Sequence, residues 1–250
     1  MTAFLMYSRI PMPCVEWRDE NRRYALCFFP LIGAVIGALF LLWRLLCREL
    51  EIGLLLNSAV CTAIPILITG GIHLDGFCDV SDAAASCADR PRKLEILSDP
   101  HIGAFAAIKL VLYLLIQTAF FSELSEFRAE LVIALGYVMS RAFSGLAAVV
   151  FDNAKKSGSL WAFTEPAHRS ATLAVLGIFI VVCAAVMMTA SPLCGGLAVI
   201  ACIAAFVGYR LYSYKQFGGV TGDTAGWFLQ ICELCILAAV MIAEKIGGLL

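Results

Sequence analysis

The sequence has 250 residues, of which 61% are hydrophobic and only 15% are charged, and its mean hydropathy is +0.89. Soluble domains carry about 25% charged residues, so this composition excludes a disordered chain, a disulfide-stapled secreted module and a basic nucleic-acid-binding protein. The formal net charge of -1 says nothing about partners. Because the apolar residues come in runs near the ~20 needed to cross a bilayer, we predict an all-α, polytopic transmembrane helix bundle.

The chain opens with a mixed segment, residues 1–27, in which we predict a short helix at the membrane interface and no cleaved signal peptide. About seven apolar runs follow. The first carries Gly33 and Gly37, a spacing that lets neighbouring helices approach closely. No repeat or long linker divides the chain, so residues 1–250 are predicted to form one integral-membrane domain. The runs lie near residues 28–47, 53–72, 103–121, 130–151, 171–190, 193–212 and 226–247.

The basic residues predict an orientation for these spans. If the N-terminus is cytoplasmic, the cytoplasmic segments hold twelve Lys and Arg residues and the outer segments hold four. Cytoplasmic loops are enriched in these residues, so a cytoplasmic (inner) membrane protein with a cytoplasmic N-terminus is predicted. The same orientation places every polar motif described below on the cytoplasmic face, which favours a single site there.

Eleven cysteines occur, most of them inside apolar stretches. Only Cys232 and Cys235 form a C-x-x-C pair, and that pair lies within a late apolar run without a second pair of metal ligands. We therefore interpret the cysteines as small packing residues in reduced surroundings.

The most informative stretch is Gly70–Asp82, which follows an apolar run directly. It holds Asp75, Asp79 and Asp82 at positions i, i+4 and i+7. On a helix this spacing places three carboxylates on one face, where like charges repel. A fold retains such a stripe beside a membrane when a cation offsets it, and oxygen ligands suit Mg²⁺. An incidental, solvated acidic loop is the alternative.

A second polar stretch, Arg92–Gly103, repeats the pattern. Glu95 and Asp99 are again four residues apart, and Arg92 lies one turn earlier on the same predicted helical face. Two acidic helix faces joined by a polar turn could hold one or two Mg²⁺ ions. His73 and His101 flank the acids. A lone histidine is usually structural, and that remains the alternative here; the candidate roles are a general base toward a hydroxyl or a hydrogen-bonding partner of a phosphate.

Polar residues also open or interrupt later spans. Gly218–Gly226 is a glycine-rich stretch before the last span, and backbone N–H groups at a helix N-terminus bind phosphate. Arg141 lies within a span, where an arginine normally faces a partner or a polar cavity, and Glu233 is a further acid deep in the last span.

At these residues the chain resembles the cobalamin synthase family of membrane enzymes, also called adenosylcobinamide-GDP ribazoletransferases. The resemblance is spread over most of the chain, and its central block is long and specific. It is carried by the following segments: residues 8–13, 30–33, 70–76, 79–82, 94–96 with Asp99, 102–105, 140–141 and 218–223.

The resemblance implies a transferase that joins adenosylcobinamide-GDP to α-ribazole or its 5′-phosphate, releases GMP and requires Mg²⁺. It leaves open a homo-oligomer or association with other corrinoid-assembly enzymes. Together with the spacing, it suggests His73, Asp75 and Asp82 as catalytic residues. The expected metal ligands are Asp75, Asp79, Asp82, Glu95 and Asp99. The expected substrate-binding residues are Arg9, Arg92, His101, Arg141, Thr221, Gly222 and Asp223.

The chain departs from the family pattern at three positions near the acids. Ala83 and Ala106 stand where the family usually has glycine, and Pro100 stands where serine is common. Every carboxylate is retained, so these changes bear on backbone geometry near phosphate rather than on the chemistry.

Three other classes compete with this interpretation. CDP-alcohol phosphotransferases also use paired aspartates in a membrane bundle, but they carry glycine and then Ala-Arg at fixed places after the pair, which this chain lacks at Ala83 and beyond. Intramembrane prenyltransferases typically place their aspartate motifs far apart in the chain. A metal-ion transporter would favour inverted repeats and interrupted helices at the midplane, whereas here no repeat is found and the acids cluster on one face.

Overall fold

The structure, a computed structural model, describes residues 2–13, 18–155 and 157–248. These ranges are helical and contain no β-strand, apart from one isolated bridge between Asn153 and Val220. A 3-10 turn, Ala25–Phe28, precedes the third helix. The helices are α1 Thr2–Tyr7, α2 Asp19–Arg22, α3 Phe29–Glu49, α4 Leu54–Thr69, α5 Ile72–Ala85, α6 Arg90–Ile96, α7 Ala104–Ser122, α8 Phe127–Val150, α9 Ser159–Thr164, α10 Arg169–Ala190, α11 Pro192–Phe217 and α12 Gly222–Gly247.

Within the described ranges, six segments are long and apolar enough to cross a membrane: α3 with its preceding turn, α7, α8, α10, α11 and α12. A seventh candidate is the pair α4 and α5, which are joined at a bend of 95°. Each of the seven predicted runs therefore corresponds to a helix. The predicted all-α, polytopic bundle is confirmed.

Helix α8 lies at the centre of the bundle, because most of its length is buried and it packs against α3, α10 and α12. The predicted role of the small residues in α3 is also confirmed. A Cβ atom at Gly37 would lie 2.6 Å from the carbonyl oxygen of Ala134, and one at Gly33 would overlap the backbone of Tyr137. These glycines let the α3 and α8 backbones touch.

A charged cluster joins α3 to α8 at the end of α3 remote from α5. Arg44 and Arg48 each contact one carboxylate oxygen of the fully buried Glu130, at 2.5 Å, and Arg44 also donates to the carbonyl of Leu124. Pairing the buried carboxylate with two arginines offsets the cost of removing it from water.

The bend between α4 and α5 depends on two consecutive glycines. Gly70 and Gly71 have φ values of +66° and +80°, a left-handed conformation that residues with a side chain adopt only at a cost. The bend redirects the chain so that α5 packs against α12 and α7 instead of continuing α4.

Candidate active site

A cavity of about 970 Å³ lies beside the α4–α5 bend. Its walls come from the N-terminal segment, the bend, the first turns of α5, the loop of residues 97–102 and the start of α12. Six of the residues predicted from sequence line it: Arg9, Asp75, Asp79, Asp99, His101 and Asp223. Segments separated by as much as 214 positions thus contribute to one site.

Three carboxylates form the acidic wall of this cavity. Asp75 and Asp79 lie one turn apart on α5, as the spacing predicts, and Asp223 lies in the first turn of α12. The two helices approach closely at Gly76, where a Cβ atom would lie 2.7 Å from the carbonyl oxygen of Asp223. At the next turn, a Cβ atom at Gly226 would lie 3.0 Å from the carbonyl oxygen of His73. The glycines bring the acids of both helices together.

In the described ranges no lysine or arginine forms an ion pair with Asp75, Asp79 or Asp223, although the charge of Lys155 acts favourably on Asp223. The same ranges contain no group of three His, Cys, Asp or Glu side chains already arranged to hold a metal ion. Mg²⁺ does not need such a cage. It commonly takes one or two carboxylates and completes its shell with water and substrate phosphates, which fits this donor set.

The loop after α6 places Asp99 and His101 differently from the prediction. We expected Asp99 to share a helical face with Glu95, but α6 ends at Ile96, and Asp99 lies beyond its last turn. Asp99 instead accepts hydrogen bonds from the backbone N–H of His101, at 3.0 Å, and pairs with its ring Nδ1, at 2.7 Å. The backbone N–H and the ring of His101 hold the pKa of Asp99 below its usual range.

Glu95 and Arg92 lie on the outer face of α6 and do not line the cavity. They form an exposed ion pair with each other at 2.7 Å. The predicted one-turn spacing is therefore present, but the structure does not bring either side chain to the other acids. Exposed pairs of this kind contribute little to stability.

The side chain of Asp82 caps the N-terminus of α7. Its two carboxylate oxygens accept hydrogen bonds from the backbone N–H groups of Gly103, at 2.5 Å, and Ala106, at 2.9 Å. Since Gly103 has no side chain with which to cap its own helix, Asp82 supplies the cap from 21 residues away. A Cβ atom at Gly103 would lie within 2.6 Å of this carboxylate.

His73 points into a second, smaller cavity of about 80 Å³, which Gly222 also lines. The two cavities share Met6, Ile72, Asp75 and Asp223, so the small one lies directly behind the acidic wall.

Arg141 and Thr221 have structural partners. Arg141 is buried in the bundle and pairs with Glu233 at 2.5 Å, with Ser140 bound to the same carboxylate oxygen at 3.0 Å. The arginine thus faces a partner, one of the two settings expected within a span. Thr221 caps α12 by accepting from the backbone N–H of Thr224 at 3.1 Å. The hydrogen bonds of this capping box occupy backbone N–H groups that we predicted, from the sequence, to bind phosphate.

Sequence reasoning missed two residues that fix the site. Gly70 contacts the side chain of Arg9 so closely that a Cβ atom at Gly70 would lie 2.5 Å from Arg9 Cγ. The backbone N–H of Arg9 donates to the carbonyl of Ile68 at 2.8 Å. Lys155 donates to the carbonyl of Leu94, at 2.6 Å, and to the hydroxyl of Ser98, at 3.0 Å, and so secures the loop that carries Asp99. The adjacent glycines before α5 were a signal for the first, whereas the sequence near Lys155 offered none.

These features define a polytopic helical membrane protein in which six ionisable residues from distant segments line one large cavity. The family model described as cobalamin-5-phosphate synthase matches residues 1–241. The chain belongs to that family.

Among the similar proteins, those named adenosylcobinamide-GDP ribazoletransferase include the following three. The protein of Lachnoclostridium phytofermentans is 44% identical over 244 residues, covering 98% of this chain and 93% of the relative. That of Clostridium perfringens (strain 13) is 32% identical, covering 91% of each. That of Pseudomonas fluorescens is 31% identical, covering 96% of each. No solved structure matches the chain.

Proposed function

We propose that this protein is an adenosylcobinamide-GDP ribazoletransferase, which joins adenosylcobinamide-GDP to α-ribazole or its 5′-phosphate and releases GMP. The observation that carries the proposal is the wall of Asp75, Asp79 and Asp223 in a large cavity, found in a chain whose whole-length relatives bear that name. A pyrophosphate substrate brought in with a divalent cation matches a carboxylate wall that forms no ion pair with a lysine or arginine in the described ranges.

Asp79 and Asp223, with Asp75 beside them, are the residues placed to hold Mg²⁺. Such an ion, when bound, neutralises charge on a pyrophosphate as phosphoryl transfer proceeds. Asp99 lines the same cavity from the loop after α6 and its low pKa keeps it ionised, so it provides a further oxygen donor. Glu95 is not included, because its carboxylate faces away from the cavity.

The residues of the cavity act by positioning and by accepting a proton. The ribose 3′-hydroxyl of the ribazole attacks the phosphorus nearest cobinamide, an O–P bond forms, and the bond from that phosphorus to the GMP oxygen breaks. Asp75, one of the two carboxylates at the junction of the two cavities, accepts the hydroxyl proton. The exposed guanidinium of Arg9 faces the same cavity and stabilises the negative charge of the departing GMP.

The test uses purified protein in liposomes with adenosylcobinamide-GDP, α-ribazole and Mg²⁺, in parallel with the ribazole 5′-phosphate. GMP and the corrinoid product are followed by chromatography and mass spectrometry. We expect both products in equal amounts, loss of turnover in EDTA and recovery with excess Mg²⁺. Absence of product from folded protein would refute the function, and undiminished turnover in EDTA would refute the metal.

A further inference from the structure

Among the described residues that line the small cavity behind the acidic wall, only His73 has a fully buried side-chain polar atom without a hydrogen-bond partner. His73 is only 5% exposed, and its Nε2 atom is buried without a hydrogen bond. Leaving a buried polar atom unpaired costs stability, and native structures rarely keep one without a reason. The unpaired Nε2 atom therefore indicates a ligand that supplies the missing hydrogen bond.

The ring of His73 is held in place by two aromatic side chains. Tyr7 stacks on it with ring centroids 6.3 Å apart, and Phe29 meets it edge-on at 6.0 Å. Tyr7 and Phe29 contact each other at 4.6 Å. The imidazole is thus fixed in orientation, as a group that presents one hydrogen bond to a ligand should be.

The remaining lining is chiefly apolar. It includes Leu26, Ala148, Leu160 and Leu229, and Ser144 adds one hydroxyl. Asp75 and Asp223 stand at the mouth that the cavity shares with the large one. Two carboxylates at the entrance disfavour a phosphate, and the apolar interior favours a neutral, flat group.

We propose that the small cavity receives the leading edge of the planar base of the ribazole, and that His73 Nε2 donates a hydrogen bond to the free ring nitrogen of that base. The inference rests on the proposed function and specifies where the acceptor substrate lies. With the base seated here, the attached ribose extends toward Asp75, one of the two carboxylates at the mouth between the cavities.

The number of polar atoms distinguishes the two substrates. A benzimidazole attached through one nitrogen has a single remaining ring nitrogen, an acceptor, which matches one imidazole N–H in the tautomer protonated at Nε2. The guanine of the other substrate has several donors and acceptors along its edge, and those beyond reach of the Ser144 hydroxyl and the carboxylates at the mouth would be left unpaired among the apolar side chains. The volume agrees with partial entry, because a cavity of about 150 Å³ is known to hold benzene entire and this one is about 80 Å³.

A double-mutant cycle, in which one change is made in the protein and the other in the ligand, tests the hydrogen bond between His73 and the base. The protein variant is His73→Phe, which keeps a ring between Tyr7 and Phe29 but has no N–H. The ligand variant is the α-riboside of 5,6-dimethylindole, in which carbon replaces the free ring nitrogen. Dissociation constants of both ribosides are measured by calorimetry in detergent with Mg²⁺, so the readout does not need turnover.

We expect the wild type to bind the indole riboside about tenfold more weakly than the ribazole, and His73→Phe to bind the two equally. If the wild type and His73→Phe show the same ratio of the two dissociation constants, or if the wild type does not bind ribazole, the placement is wrong. Turnover of the natural substrates is assayed on the same wild-type preparation. Turnover without the expected cycle refutes only this placement, whereas absence of turnover refutes the proposed function itself.

Discussion

Asp79 belongs to the acidic wall and is a half-buried residue of α5. Replacing it by asparagine removes charge but little volume, so the effect reports on the cation rather than on packing. We expect Asp79→Asn to lower kcat/KM by about 100-fold or more, because even outer residues of metal sites cost 10–100-fold. Steady-state assays over a range of Mg²⁺ concentrations measure this loss.

Glu95→Gln tests whether the structure or the sequence pattern identifies the metal ligands correctly. The sequence pattern predicts both Glu95 and Asp79 as ligands, whereas in the structure Glu95 pairs with Arg92 on an exposed helix face. We expect Glu95→Gln to change kcat/KM by less than about twofold, since exposed ion pairs contribute little. Equal losses in the two variants would contradict the cavity as the metal site.

Gly70 determines where Arg9 lies, and its neighbour offers a matched control. Gly70→Ala and Gly71→Ala both place a methyl group at a positive φ, so both lose similar stability. Only the methyl group at Gly70 would meet Arg9, 2.5 Å from its Cγ atom, because the space around Gly71 is open. Gly70→Ala should therefore displace Arg9 from the cavity.

We expect kcat/KM to fall about tenfold further in Gly70→Ala than in Gly71→Ala, with similar melting temperatures. In an Arg9→Ala background the two alanine variants should become equal. If they still differ there, Gly70 acts through something other than Arg9.

At this scale the sequence predicts well what depends on local spacing. Asp75 and Asp79 share a helical face because both lie within one helix, and that regularity is visible in the chain. The role of Asp82 was not visible, since the N–H groups that it caps are 21 and 24 residues away. A partner so distant in sequence is determined by tertiary packing.

Because the side chain of Asp82 caps helix α7, removing it should lower the stability of the protein. Removing an N-cap side chain costs about 1 kcal/mol, which lowers Tm by about 2–4 °C in a chain of this size. We expect Asp82→Ala to show this shift in thermal unfolding in detergent, with the Mg²⁺ dependence of the remaining activity unchanged. An unchanged Tm with an altered Mg²⁺ requirement would instead support Asp82 as a ligand.

Helices α8 and α12 are joined by the buried pair Arg141–Glu233. Removing one partner leaves an uncompensated charge, which costs about 3–5 kcal/mol, whereas replacing both by apolar residues is often neutral. We expect Arg141→Met to unfold at a much lower temperature and Arg141→Met/Glu233→Met to recover most of the loss. A double variant that is stable but inactive would support the predicted contact of Arg141 with substrate.

Among the elements, the sequence predicted the seven apolar helices because hydropathy alone marks them. It did not predict how α5 and α12 meet, since Gly76 and Gly226 gain their meaning only when the backbones face each other. It also extended the second helical motif to Asp99, although the chain leaves the helix after Ile96.

Across the whole molecule, the segments predicted to be cytoplasmic lie together at one end of the bundle. Arg90 donates to the carbonyl of Lys215, Lys93 to the side chain of Gln216, and Lys155 to the carbonyl of Leu94. These contacts join basic loops that are far apart in sequence. Since cytoplasmic loops carry most of the lysine and arginine of membrane proteins, the cavity beside them should open to the cytoplasm.

Cys87 tests this orientation, because it is exposed in the turn between α5 and α6, at the same end as the cavity. In a Cys14→Ser background, we expect a membrane-impermeant maleimide to label inverted inner-membrane vesicles and to leave right-side-out spheroplasts unlabelled. Other cysteines in the described ranges are buried or, like Cys235, lie within a span. Cys87→Ser should abolish the signal, and labelling of intact spheroplasts would place the acidic cavity on the outer face, where cytoplasmic nucleotide substrates do not reach.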